Sequence, residues 1–505
     1  MGPMREARGS KRRGRDVRHS GGFLRNWLAP LLVLALLAAG VGAYRFEWGQ
    51  RHLPWLAADP VTEPEQVLVP AGLDLPAWSP PADDAGDDPA GIVLDPAAAP
   101  RLDPARVAAA LSADLADPDL GRHVVAEVAP LAPGAPSWTS GDGRYLPAST
   151  TKLLTLGAAL EVLGPDHTFT TRVVRGERAG EVVLVGGGDP LLASRPLTLA
   201  EAGATYPARA DVTTLALETA EALGDGPVRV RFDDSLFTGP TDNPAWRRDY
   251  VPDDIVAPIT ALMVDGGDEP DSDLKQDDPS LASARVFVDA LRAAGVRVSG
   301  QPRPAVAPPD AEELAAAESA PLSQVAERIL DVSDNEGSEV LAHQVGLATS
   351  GTGSFEGGAA GVLQTLGGLG IDVAADEVYD GSGLSRRNRV STSTLVGLLQ
   401  HAAGPAGEDA RSLLTGMPVA GFTGSLTYRF AEGPALARGL VRAKTGTLTG
   451  VHALAGVVVG RDGVPMAFVL GADRSPPEER YDAQEALDRA AAALAACRCS
   501  APAAG

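Results

Sequence analysis

Cys497 and Cys499 are the only cysteines in a chain of 505 residues. Their number and their place near the C-terminus exclude a disulfide framework and a cysteine-based zinc site. The C-x-C pair itself reads either as a strained local disulfide or as an incidental feature of the tail. Lysine is nearly as scarce: among 43 basic residues only Lys11, Lys152, Lys275 and Lys444 are lysine. Where a plain positive charge suffices, the chain uses arginine, which stays protonated, whereas a buried lysine loses its proton and serves as a base. Positive charge as a whole is in deficit. The net charge is −23, which argues against nucleic acid as a partner.

Several signatures are also missing. Gly186-Gly187-Gly188 belongs to no G-x-G-x-x-G and is followed by no G-K-[ST], so it reads as a structural turn rather than a phosphate cradle. There is no G-x-S-x-G elbow, and the seven histidines fall in ordinary contexts, which argues against a Ser-His-Asp triad. His343 and His452 lie near the motifs described below and read as packing or rim residues. The acidic loop carrying Asp268, Asp271, Asp273, Asp277 and Asp278 lacks EF-hand spacing. No metal and no cofactor is expected.

What is present centres on Pro147-Ala148-Ser149-Thr150-Thr151-Lys152 and the apolar run that follows it to Gly164. The spacing predicts a helix that begins close to Ser149. A serine there lies near the positive end of the helix, which favours an alkoxide forming on it. Lys152, three residues on, occupies the same face one turn along. An isolated S-x-x-K is most often a capping serine with a surface lysine. The scarcity of lysine changes that balance, because Lys444-Thr445-Gly446-Thr447 uses another of the four. Between them stands Ser333-Asp334-Asn335, alone no more than a turn or a cap. The order S-x-x-K, S-x-N, K-T-G is what gives the three their force.

The chain begins with a basic segment, residues 1–26, followed by the uncharged run Trp27 to Tyr44. That run is about long enough to cross a thin bilayer, with the N-terminus in the cytoplasm and the rest outside. Val41-Gly42-Ala43 also fits a signal-peptide cleavage site, so residues 27–44 read as a transmembrane anchor or a signal sequence. Residues 45–100, rich in Pro, Ala and Asp, read as a solvated linker. Beyond residue 100 the chain is long enough for two or three domains. Residues 101–175 and 311–497 read as two parts of one catalytic domain, 176–310 as one or two inserted domains, and 498–505 as a tail. Helices are predicted at Val107 to Leu115, Leu322 to Ile329, Ser393 to Ala402 and Glu478 to Ala496. Strands are predicted at Val124 to Val128, Glu181 to Val185, Val228 to Phe237, Val296 to Val298 and Gly439 to Thr445. His452 to Val459 and Pro465 to Leu470 read as an antiparallel hairpin. Strands leading into a nucleophile-bearing helix suggest α+β organisation.

At these residues the chain resembles the penicillin-binding protein superfamily. More narrowly it resembles the D-alanyl-D-alanine carboxypeptidase/endopeptidase family of low-molecular-mass class C, peptidase family S13. The narrower resemblance rests on Gly186-Gly187-Gly188-Asp189-Pro190, on Asp380-Gly381-Ser382-Gly383-Leu384-Ser385-Arg386, and on Pro418-Val419-Ala420-Gly421. It rests above all on the long separation of Ser149 from Ser333, where the family places its inserted domains. It implies a penicillin-binding/β-lactamase-like transpeptidase fold, an antiparallel sheet with a helical subdomain and inserted β-rich domains, preceded by one membrane helix and a disordered linker.

The resemblance further implies a serine-type D-Ala-D-Ala carboxypeptidase, with D,D-endopeptidase activity as an extension, that trims peptidoglycan stem peptides through an acyl-serine. Ser149 would be the nucleophile, Lys152 its base, Ser333 the proton relay and Asn335 a ligand of the substrate amide. Lys444 and Thr445 would bind the terminal carboxylate, and backbone N–H groups of Ser149 and Thr447 would form the oxyanion hole. Gly446 would permit close backbone approach. Arg386 would contact the stem or brace its own loop, and Asp234 and Phe237 would reach the site from the insertion. The implied partners are stem peptides ending in D-Ala-D-Ala, β-lactams as covalent inhibitors, and the membrane through the N-terminal helix. The implied place is the extracytoplasmic face of a bacterial envelope, anchored by a single pass or secreted after cleavage. Two other functions stand beside this one. A β-lactamase is disfavoured by size and by the lack of an evident Glu-bearing loop. A wall-binding or β-lactam-sensing protein would acylate with little turnover.

Overall fold

The computed structural model describes residues 101–501 apart from 199–200, 202–204, 225, 273, 431–436 and 479. The expected membrane segment at 27–44 and the linker at 45–100 lie outside the described residues. Among those described, no helix is long and apolar enough to cross a membrane.

Helix α1 (Pro104–Leu115) starts where Asp103 accepts hydrogen bonds from Ala105 N and Arg106 N, with proline in the first turn. Strands β1 (Val124–Pro130), β2 (Trp138–Ser140) and β3 (Arg144–Tyr145) follow, and then α2 (Thr151–Leu163). The inserted stretch contains β4 (Thr170–Arg175), β5 (Glu181–Val185), α3 (Val212–Ala222), β6 (Arg229–Asp233), α4 (Pro279–Ala293), β7 (Arg303–Pro304) and β8 (Glu313–Glu318). The chain then forms α5 (Leu322–Val332), α6 (Asn335–Ser350), α7 (Phe355–Gly368), β9 (Val390–Ser391), α8 (Thr392–Ala403) and the single turn α9 (Ser412–Thr415). It closes with β10 (Val441–Leu448), β11 (Val451–Val459), β12 (Pro465–Ala472) and α10 (Arg480–Ala496).

The main sheet has the order β10-β11-β12-β1-β2, antiparallel throughout. Side chains alternate between its faces. Val125, Ala129, Ala453, Ala455, Ala467 and Val469 share a core with α2, α5, α6 and α8. Ala126, Val128, Leu454, Met466, Phe468 and Leu470 share the other with α1 and α10. Helix α2 is buried from Thr151 through Leu160, so any polar side chain on it is held inside the helical subdomain.

The insertion is a second sheet, ordered β7-β6-β5-β4-β8. Strands β5, β6 and β7 are parallel, and a parallel pairing needs a crossover; α3 and α4 supply helices in these connections. The expectation of a β-rich insertion is therefore corrected to a mixed one. The missed signal was in the sequence, in Val212, Leu215 and Ala216, and in Ala284, Phe287, Val288 and Leu291, apolar at helical spacing and buried together. At the chain end Cys497 and Cys499 form a disulfide, where an incidental pair was the other reading.

Candidate active site

The chain reaches Ser149 through a 3-10 turn, Ala148–Thr150, that runs directly into α2. Ala148 has φ 47°, a left-handed conformation that is unfavourable for a residue with a Cβ. Thr150 Oγ1 donates to Pro147 O at 2.8 Å and Thr151 Oγ1 to Ala148 O at 2.8 Å, which pins the turn. Gly383 lies so close to Ala148 O that it has no room for a side chain.

Lys152 is fully buried, and its Nζ makes three contacts: Ser149 Oγ at 3.2 Å, Asn335 Oδ1 at 2.8 Å and Ser382 O at 2.8 Å. The last two are acceptors only. A neutral amine has two N–H bonds and one lone pair, so filling both acceptors turns its lone pair toward the Ser149 hydroxyl. Burial lowers the pKa of Lys152 to about 8, against the opposing charges of Glu339, Asp334, Asp380 and Glu336.

Helix α5 ends on Ser333, which is left-handed (φ 62°, ψ 40°), and α6 begins at once with Asp334 as its N-cap, accepting from Gly337 N at 2.9 Å. This sharp junction carries Asn335 to Lys152 and Ser333 to the other buried lysine. Lys444 Nζ donates to Ser333 Oγ at 2.8 Å and to Thr445 O at 3.0 Å. Its pKa is lowered well below the usual lysine range by burial and then by the charge of Lys152.

Lys444 lies on β10, the edge of the main sheet. Ala443 N donates to Pro418 O and Val441 O accepts from Ala420 N, so these groups point away from β11. By the alternation of an antiparallel strand, the N–H and C=O of Thr445 and Thr447 project from the same edge. Gly446 is required here, because a Cβ at this position would stand 2.5 Å from Pro147 O. The hydroxyls of Thr445 and Thr447 lie on the face opposite Lys444 and bond Ser425 Oγ at 3.1 Å and Gln484 Nε2 at 3.2 Å.

The remaining expected residues fall into a second rank. Arg386 donates to Thr449 O at 2.8 Å and so ties its loop to the turn after β10. Phe237 packs on His343, with ring centroids 4.7 Å apart, and His343 packs in turn on Phe355. Asp234 lies in the turn after β6 and makes no side-chain hydrogen bond among the described residues. None of the three joins the hydrogen bonds of Lys152 with Ser149 and Asn335 or that of Lys444 with Ser333.

Other residues escaped the sequence reading. Glu339, one turn beyond Asn335, is fully buried and accepts from Gly381 N at 2.9 Å and Ser382 N at 2.8 Å, which aims Ser382 O at Lys152. Burial, then the charge of Asp380, raises the pKa of Glu339 to about 8. Asp380 gathers Trp246 Nε1, Gly383 N, Ser385 N and Asn388 Nδ2. The i, i+4 spacing of Asn335 and Glu339 was the available signal. Among the described residues no cluster of His, Cys, Asp or Glu could hold a metal ion.

A serine hydroxyl thus faces one buried lysine, and a second buried lysine stands on the edge strand of the sheet, an arrangement suited to nucleophilic attack by the serine. The sequence profile described as the D-Ala-D-Ala carboxypeptidase 3 (S13) family matches residues 107–270 and 269–494. The chain belongs to that family, and it is a serine-type D-Ala-D-Ala carboxypeptidase. It is 35% identical over 443 residues to a carboxypeptidase of Mycobacterium tuberculosis, covering 85% of this chain and 92% of that protein. It is 34% identical over 430 residues to carboxypeptidase DacB of Mycolicibacterium smegmatis, covering 84% and 91%. The fold resembles penicillin binding protein 4 of Haemophilus influenzae, with a TM-score of 0.62 at 20% identity, covering 76% of this chain and 98% of that one.

Proposed function

We propose that this enzyme removes the terminal D-alanine from peptidoglycan stem peptides ending in D-Ala-D-Ala, with Ser149 as nucleophile and Lys152 as its base. The reading is carried by the Lys152 contacts, whose two obligate acceptors direct the lone pair at Ser149 Oγ. Ser149 Oγ forms a bond to the carbonyl carbon of the penultimate D-alanine as its proton passes to Lys152. The negative charge that develops on the carbonyl oxygen is met by the N–H groups of Ser149 and Thr447, a contribution of ~10²–10³ in rate per donor. The tetrahedral centre collapses, the C–N bond breaks, and Ser333 passes its hydroxyl proton to the leaving amine while taking up the proton that Lys152 received from Ser149, so that Lys152 is again the free base. Water then hydrolyses the acyl-serine. Asn335 also hydrogen-bonds the substrate amide, and Lys444 with Thr445 binds its terminal carboxylate. Arg386 is placed to meet the peptide stem as well as to brace its loop, with Asp234 and Phe237 lending more distant support. A β-lactam enters by the same attack and leaves a stable acyl-serine.

Release of D-alanine from a diacyl-L-Lys-D-Ala-D-Ala peptide tests the reading. Ser149→Ala should lose at least about 10³-fold in kcat/KM while keeping its fold. Turnover of nitrocefin that outpaces turnover of the peptide would point instead to a β-lactamase. Acylation by penicillin without any peptide turnover would point to a sensing protein.

A further inference from the structure

Among the described residues Lys275 is the one lysine that the three motifs leave unused. It belongs to the insertion, yet its ammonium lies 2.9 Å from Glu336 Oε1, the carboxylate that immediately follows Asn335 in the chain. Its other contact is Asp268 Oδ1 at 2.6 Å, and its own backbone N–H donates to Asp254 Oδ1 at 2.8 Å. Glu336 Oε1 also accepts from Ala257 N at 3.0 Å. The side chains are 16% exposed for Lys275 and 8% for Glu336, so a half-buried ammonium meets a buried carboxylate and the pair is screened less than one on the open surface. Two segments of the insertion thus converge on the first turn of α6, the turn that presents Asn335 to Lys152.

Burial, with the charge of Asp334, raises the pKa of Glu336; Lys275 and Ala257 N–H pull the other way. Burial lowers the pKa of Lys275, but Glu336 and Asp268 outweigh it and the net shift is upward. Removing Lys275 leaves Glu336 buried without its cation, and burial then drives its carboxyl to take up a proton beside the catalytic turn.

We propose that Lys275 is a positioning residue for acylation. By holding the Glu336 carboxylate, it fixes the first turn of α6, and with it the placement of Asn335 and Ser333 against Lys152 and Lys444. The proposal rests on the reading of Lys152 as the base. The charged groups facing Lys152 are Asp334, Glu336 and Glu339 from α6 and its cap, Asp380 from the loop before β9, and Lys444 from β10. Loss of Lys275 removes the charge that opposes burial at Glu336, so this carboxyl takes up a proton, ceases to support the charge on Lys152, and proton loss from Lys152 moves to lower pH.

The test uses the full chain and the second-order rate constant for penicillin acylation, followed by adduct mass between about pH 6 and 10. Lys275→Met should lower the plateau roughly tenfold to a hundredfold and move the acid limb downward. Glu336→Gln should move the limb downward, and Lys275→Arg should restore the wild-type profile. A Lys275→Met enzyme with wild-type plateau and limb overturns the proposal. If Lys275→Met does not fold, Glu336→Gln decides alone, and an unmoved limb overturns it. Ser149→Ala and Lys152→Met in the same assay separate the two levels. If they still acylate, the reading of the site fails. If they do not, while Lys275→Met is unchanged, only the positioning role fails.

Discussion

Two buried lysines within one hydrogen-bonded site repel each other, and the residues around them decide which carries the proton. Four carboxylates, Glu339, Asp334, Asp380 and Glu336, favour the charged form of Lys152. Lys444 has no such support in the free protein and feels the charge of Lys152 in addition to burial. In the free protein these surroundings favour the charge on Lys152 over the charge on Lys444. On the proposed reading a substrate carboxylate at Lys444 would reverse the order, because it would favour the ammonium there and the new charge would expel the proton from Lys152. Substrate binding would then generate the base. The prediction concerns penicillin acylation at saturating and subsaturating drug. Neutral Lys152 is the active form, so the subsaturating rate rises as pH passes through about 8. The saturating rate should rise at lower pH, since Lys444 is then charged. Coincident limbs would contradict this exchange.

At the scale of elements, α6 does more than any other helix. Its cap, Asp334, sets the junction with α5; its first turn carries Asn335 and Glu336; its second carries Glu339. One turn later His343 donates Nδ1–H to Glu339 O at 2.8 Å and lies between Phe237 and Phe355. Burial lowers the pKa of His343 to about 4, from an ordinary value of 6.5. The folded state therefore resists a proton that the unfolded chain accepts. Stability is unaffected above pH 6.5 and falls as the pH drops from 6.5 toward 4, by about 3 kcal/mol in full. His343→Leu should reduce the loss of thermal stability between pH 7.5 and 5, whatever its effect at neutral pH. An unchanged slope would contradict the account. His452, with its pKa also lowered to about 4, contributes in the same direction, so the slope should shrink rather than vanish.

Elements were legible where their pattern is local. The helix after Ser149, the terminal hairpin and α10 follow from periodicity and turn residues, and the order of the three motifs pointed to one site. Partners supplied by distant segments were not legible. Nothing near Lys152 in the chain announces Ser382 O as its third contact, or Lys275 as the partner of Glu336. The side-chain alternation of β10, which sends Lys444 to one face and the Thr445 and Thr447 hydroxyls to the other, became evident only with the strand in place.

On the scale of the whole described structure, an antiparallel sheet and a helical subdomain meet along the line from Ser149 to Lys444, and the insertion braces that line from outside. The insertion interrupts the catalytic part between α2 and α5, which is why the motifs lie so far apart in sequence and within hydrogen-bond reach in space. The central claim is that this convergence makes Ser149 an acylatable nucleophile. Intact-protein mass after brief exposure to a penicillin, followed over hours beside Ser149→Ala, tests it most directly. One drug mass should add to the wild type, persist, and be absent from Ser149→Ala. An adduct that forms equally on Ser149→Ala, or on neither protein, would contradict the account.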